Sequence, residues 1–183
     1  MRVVVMLLML VVFTPSFAQA QVSEEPIGNL AELMRGIMFP NSNKLFDLQS
    51  VEPGTELPEM SDEASEAVSA VMGPASARFA AVYRGWQDVA GAAVALADGA
   101  KLAMLEGRLC ENGMPAPVDQ ADYIEAATLL EESAVKVLDA VRMEDYEEAS
   151  FAVNFIVESC SNCHSPYRDG PDSRQEPRCN PSE

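Results

Sequence analysis

Apolar residues recur at intervals of three and four along most of the chain, and no segment shows the two-residue alternation of a half-buried strand. In "IGNLAELMRGIM", Ile27, Leu30, Met34 and Ile37 share one helical face, which Pro40 is expected to interrupt before Asn41 to Asn43 cap a restart. The acidic, proline-bearing stretch "VEPGTELPEMSDE" reads as a connection, with a short helix after it ending at Gly73-Pro74. Phe79, Val82, Trp86, Val89, Ala93, Leu96 and Ala100 then mark a long second helix that closes near Gly107. Beyond the turn chemistry of "CENGMPAPVD", Asp119 or Asp122 is placed to cap a third helix striped by Tyr123, Ala127, Leu130, Ala134, Val137 and Val141. A fourth helix begins near Tyr146 and turns Ala149, Val153, Ile156, Cys160, Cys163 and Tyr167 inward.

Four amphipathic helices joined by modest connections predict an all-α fold, an antiparallel up-down four-helix bundle, with no repeat of fixed period. About 160 residues suffice for one core. That domain is expected at residues 21–168, between a leader at 1–20 and a polar tail at 169–183. The leader, "MRVVVMLLMLVVFTPSFAQA", joins Arg2 to an apolar run from Val3 to Phe13, then Pro15 and the small-x-small end Ala18-Gln19-Ala20. This is the pattern of a secretory signal peptide, cut before Gln21. Its apolar run is shorter than the roughly 20 residues of a membrane span, so the expectation is a periplasmic protein with no membrane insertion after cleavage. In an oxidising compartment the cysteines are expected to be covalently committed.

Charge narrows the partners. The chain holds 12 basic and 29 acidic residues. Losing the leader removes one arginine and no acid, so 11 bases face 29 acids, a net of −18. Such a surface repels nucleic acid and anionic membranes and steers toward proteins with a basic patch, although surface acids also serve solubility alone.

The chemistry sits in "ESCSNCHSPYRDG", where Cys160 and Cys163 stand three apart and His164, the chain's single histidine, follows at once. On a helix all three share a face. Two thiols so spaced can add across the vinyl groups of one haem and leave the imidazole over the iron. Zinc would need about four ligands, with Cys110, Cys179 or acids completing the set. A redox dithiol would want a βαβ setting, and a disulfide between Cys160 and Cys163 is awkward within a helix. Covalent haem is the expectation. With the histidine so assigned, no Ser-His-Asp set, glycine-rich phosphate loop or paired-carboxylate arrangement is left, and the chain is not read as an enzyme.

A four-helix bundle with "CSNCH" near its end resembles the class II c-type cytochromes, the cytochrome c′ type. The resemblance takes in "LMRGIMFPNSNKLFD", "GWQDVAGAAVALADGAKLAMLEGRLCENG" and "CSNCHSPYRD" and spans most of the chain after the leader. It implies one haem c near the end of the last helix, thioethers at Cys160 and Cys163, and His164 as proximal iron ligand. The long acidic connection and the cysteine-bearing tail depart from shorter family members.

In an up-down bundle the first helix starts where the fourth ends, so Met34 can face His164 across the haem. Low-spin relatives carry a methionine in this region, which implies a His/Met-ligated electron carrier with redox proteins as partners. Met38, one turn on, competes for the role, and both can instead be packing residues. Without either, the reading becomes a five-coordinate gas-binding protein for NO or CO. The same topology brings Cys110 and Cys179 to one end as a disulfide, against the alternative of free or intermolecular thiols. Trp86 is expected in the core. Arg35 or Arg168 can meet a haem propionate or simply be solvated. A homodimer stays open beside a monomer.

Overall fold

The computed structural model describes residues 25–55, 61–72, 82–168 and 179. The leader at 1–20, Phe79 and all of the tail save Cys179 lie outside the described residues.

The described chain is an all-α bundle without a strand. Helix α1 (Leu30–Leu33) passes through a π-helical turn (Met34–Met38) into α2 (Phe39–Phe46), and a 3-10 turn (Asp47–Gln49) ends the run. Helix α3 (Asp62–Met72) stands largely exposed and matches the expected short helix before Gly73. Three long helices complete the set, α4 (Trp86–Ala103), α5 (Ala121–Arg142) and α6 (Tyr146–Tyr167). α5 packs against both α4 and α6, while the α1–α2 segment lies against α4 and touches α6.

The stripes read from the sequence become the core. All six predicted residues of α5, Tyr123 to Val141, are buried, as are Ala149, Val153 and Ile156 of α6. α4 contributes Ala92, Ala93, Ala97, Ala100 and Ala103 around Leu96. Short side chains bring its backbone close to its neighbours, and each alanine also carries the best intrinsic helix propensity. Trp86 packs half-buried against this cluster.

Three expectations are corrected. Pro40 does not break the first helix, because the π turn absorbs it: the Phe39 N–H bonds to the Met34 carbonyl five residues back, and the widened turn accommodates a ring that lacks an N–H. Asn41 is therefore not a cap, and its side-chain amide donates to the Ile37 carbonyl at 2.7 Å inside the helix. Second, α4 starts at Trp86 and ends at Ala103. Gly85 in front of it has φ +62°, a conformation open to glycine that ends any helix arriving from upstream, and Val82 is exposed. Third, neither Asp119 nor Asp122 caps α5; Gln120 holds that position with no side-chain bond. Asn29 and Asp145 do cap, accepting from the Glu32 and Glu148 N–H groups.

The segment between α4 and α5 ties the start of the first helix to the bundle. Arg108, 5% exposed, donates to the carbonyls of Gly28 (2.6 Å) and Leu102 (2.6 and 3.2 Å). The Leu30 N–H donates to the Leu109 carbonyl at 2.8 Å. The next residue, Cys110, is buried and bonded to Cys179 as a disulfide.

Candidate functional site

A cavity of about 410 Å³ opens between the first helical segment, α4, α5 and α6. Its size falls in the range of about 300–1,000 Å³ usual for small-molecule and cofactor sites. Residues three and four apart on α6 supply one wall: Cys160, Cys163, His164 and Tyr167. Met34 and Met38 face it from the first segment. Between them Ala100 and Ala103 of α4, with Ala126 and Ala127 of α5, line the cavity with little more than methyl groups. The wall is chiefly apolar, with Arg35, Glu111 and Arg168 among its few charges.

The four sequence-predicted groups thus meet in one place. Cys160 and Cys163 are half-buried free thiols, His164 is half-buried beside them, and Met34 is half-buried where the π turn begins. Met38 is nearly closed off, 5% exposed. Cys110 and Cys179 join each other as expected, and Cys179 also borders the cavity. Of the two arginines, Arg35 is ion-paired with Glu111, whereas Arg168 makes no ion pair among the described residues.

Burial sets the chemistry of these groups. It pushes the Cys160 thiol up, and with the neighbouring Cys160 and Asp122 it pushes the Cys163 thiol up to about 11. Thiols held this high stay protonated near neutrality, opposite to the lowered values of reactive dithiols. Burial first, and Arg168 second, hold the His164 imidazole below its ordinary value. A neutral ring has a lone pair to give to a metal.

An open hollow of about 390 Å³ lies on the other side of the histidine, bounded by Phe46, Val157, Ser161 and Ser165. Cys160, His164 and Arg168 belong to both hollows, so His164 stands in the wall between them.

Three features near the site are not legible in the sequence: the buried Arg108, the packing of Met38 against Gly99 of α4, and the hydrogen bond that Tyr167 donates to Asp122. Tyr167 had a signal, since it follows His164 by three on the inward stripe. Arg108 had none, because an arginine in a turn-rich segment ordinarily faces solvent.

Comparison with protein-family models, with curated proteins and with solved structures finds no match to this chain.

Proposed function

We propose that the chain is a monohaem c-type cytochrome of the class II kind, an up-down bundle that passes single electrons and has no enzymatic turnover of its own. One observation carries this reading: Cys160, Cys163 and His164 line the same largely apolar cavity as Met34, which approaches from a different helix. The residues fit the group. Two thiols and an imidazole on one helical face suit attachment to a flat macrocycle and its central iron, and the alanine-lined walls leave a slot for it. Among the described residues no three His, Cys, Asp or Glu side chains converge on a point, which disfavours zinc with its need for about four ligands. The raised thiols disfavour a redox dithiol.

When bound, the haem supplies a one-electron iron couple whose potential follows its axial ligands and the polarity around it. The chain's own residues do the rest. Cys160 and Cys163 would hold the group by thioethers, and His164 would offer a neutral nitrogen to its iron. Met34 would supply a thioether from the first helical segment, and a methionine beside the histidine would leave no vacancy for gases and favour a higher potential than histidine alone. The alanine and leucine walls give the group a chiefly apolar surround, and polarity around the iron is one of the levers on its potential. Arg168, lining the cavity without an ion-pair partner among the described residues, is the side chain to meet an acidic substituent. An acidic surface steers a redox protein with a basic patch, and the disulfide and leader suit export to the periplasm.

The test is a visible spectrum of the exported protein, oxidised and reduced, with and without carbon monoxide. A covalent haem resists extraction into acid acetone and gives a low-spin spectrum that carbon monoxide alters slowly. Pigment lost to the solvent, or none at all, overturns the reading. A high-spin spectrum with rapid carbon monoxide binding keeps the haem and replaces electron transfer by the gas-binding function.

A further inference from the structure

Two methionines border the cavity one helical turn apart, and a thioether from either chemically suits the iron. What distinguishes them is a glycine on the facing helix. Gly99 of α4 is buried, and a β-carbon placed on it would lie 2.4 Å from the Met38 sulfur and 3.4 Å from Ile37 Cγ2. The sulfur therefore occupies the space that any other residue at 99 would fill with its own side chain. Met38 is 5% exposed in that notch, whereas Met34, at the first position of the π turn, is only half-buried.

Resting on the cytochrome reading above, we propose that Gly99 is a specificity-determining residue for the sixth ligand: its missing side chain stores the Met38 sulfur in a notch on α4 and leaves Met34 as the thioether offered to the cavity. Gly99 acts through Met38 and is a positioning residue. It is not among the residues that line the cavity. Glycine is a poorer helix former than alanine, so the position gives up helix stability in exchange for the close approach of the π turn. The notch also has a directional consequence. A sulfur packed against a backbone on one side leaves by rotation about its own flexible side chain, and the space on its other side is the cavity it already lines.

The experiment follows the two sulfurs in the full-length exported protein. Carboxymethylation by iodoacetate, read by peptide mapping, reports how accessible Met38 is whatever the state of the iron. Met38 should resist the reagent in the parent protein and react several-fold faster in Gly99→Ala. Unchanged Met38 reactivity in a folded Gly99→Ala overturns the proposal. Spectra then read ligand choice. Met34→Ala should lose the low-spin spectrum, because Met38 stays in its notch, and Met34→Ala/Gly99→Ala should regain it. Adding Met38→Ala should abolish it again. Retention of the low-spin state in Met34→Ala alone overturns the proposal, as does failure of the folded double variant to regain it. Should Gly99→Ala fail to fold, Gly99→Ala/Met38→Ala removes the clashing sulfur and should recover helical circular dichroism; no recovery overturns the notch. A parent protein without covalent haem brings down the cytochrome reading and this one together, while the outcomes above, seen with haem in place, bring down this one alone.

Discussion

The phenol of Tyr167 donates to the Asp122 carboxylate at 2.6 Å, fastening the last turn of α6 to the first turn of α5 beside the cavity. Its ring stands edge-on to Tyr123, centroids 5.4 Å apart, and the Tyr123 hydroxyl donates in turn to the Ala103 carbonyl at 3.1 Å. Three helices are thereby linked through two aromatic rings at the end that carries His164. Asp122 is not the cap the sequence suggests because it lies inside the helix, one residue after its start at Ala121, where its carboxylate accepts from the Tyr123 N–H as well as from Tyr167.

Removing that hydroxyl should loosen the site end of α6. Tyr167→Phe keeps the ring packing and loses one hydrogen bond to a charged acceptor, so about 1–2 kcal/mol of stability should go. The pH dependence has a definite sign. Burial first, and the bond to Asp122 next, push the Tyr167 phenol up to about 12, above the ordinary value of about 10. The folded state thus holds its proton more tightly, and the stability this gives is fully present below about pH 10 and lost as the pH rises through about 12. Urea unfolding across that window should show a shallower alkaline decline in Tyr167→Phe than in the parent protein. Identical slopes would mean that the pair contributes nothing.

Arg108 makes a second prediction. The side chain bridges Gly28 and Leu102 by three hydrogen bonds, and burial lowers its pKa without removing its charge. Arg108→Ala leaves the Gly28 carbonyl without that donor and frees the segment leading to Leu30, at a cost of about 1–3 kcal/mol. Arg108→Lys should recover little, since one ammonium lacks the fork that spans two carbonyls. Denaturant midpoints of the two variants decide the point; a lysine variant as stable as the parent would show that charge alone suffices.

How legible the molecule was in its sequence depends on helix regularity. α5 and α6 run 22 residues each, so six stripe positions repeat often enough that one irregular contact cannot mask the period, and every α5 stripe residue is buried. The first segment is shorter and holds a π turn, which adds a residue to the local period. Ile27 falls on its face in the linear pattern but lies fully exposed, because the helix starts only at Leu30. The site followed the same rule. Cys160, Cys163 and His164 were readable because their spacing is local and lies on a regular helix. Gly99 and Arg108 act across helices, on a notch and on two carbonyls respectively, and neither partner leaves a mark in the linear pattern.

The Cys110–Cys179 disulfide spans 69 residues. Linking positions that far apart restricts the unfolded chain, and the loop-entropy relation gives about 4 kcal/mol for that length. Cys110→Ser/Cys179→Ser should lower the melting temperature accordingly while leaving the helical content intact, because the buried stripes of α4, α5 and α6 do not pass through the bridge. Non-reducing peptide mapping of the parent protein should recover the two cysteines in one linked fragment. Two free thiols in that map would remove the bridge from the account.

The π turn carries the last prediction. It spends five residues on the rotation that four make in an α-helix, with the Phe39 N–H bonded to the Met34 carbonyl five back, so the segments on its two sides keep their facing despite the added residue. Gly36 lies inside the turn, is exposed, and has nothing within 4 Å of the place a β-carbon would take. Deleting it should let the segment close to a plain α-helix without a steric penalty at that point. Leu30 and Leu33 then stay in the core, the Arg108 and Leu109 ties stay made, and Met34 keeps its place at the cavity. What is lost is the room for Pro40, whose ring meets the carbonyl four residues back in a regular helix, at a cost of about 3 kcal/mol. The expected result is a destabilised variant that keeps the visible spectrum of the parent protein, and thermal unfolding and a spectrum on the same sample check both halves. A variant as stable as the parent would show that Pro40 does not need the wide turn, and a changed spectrum would show that the turn itself sets where Met34 lies.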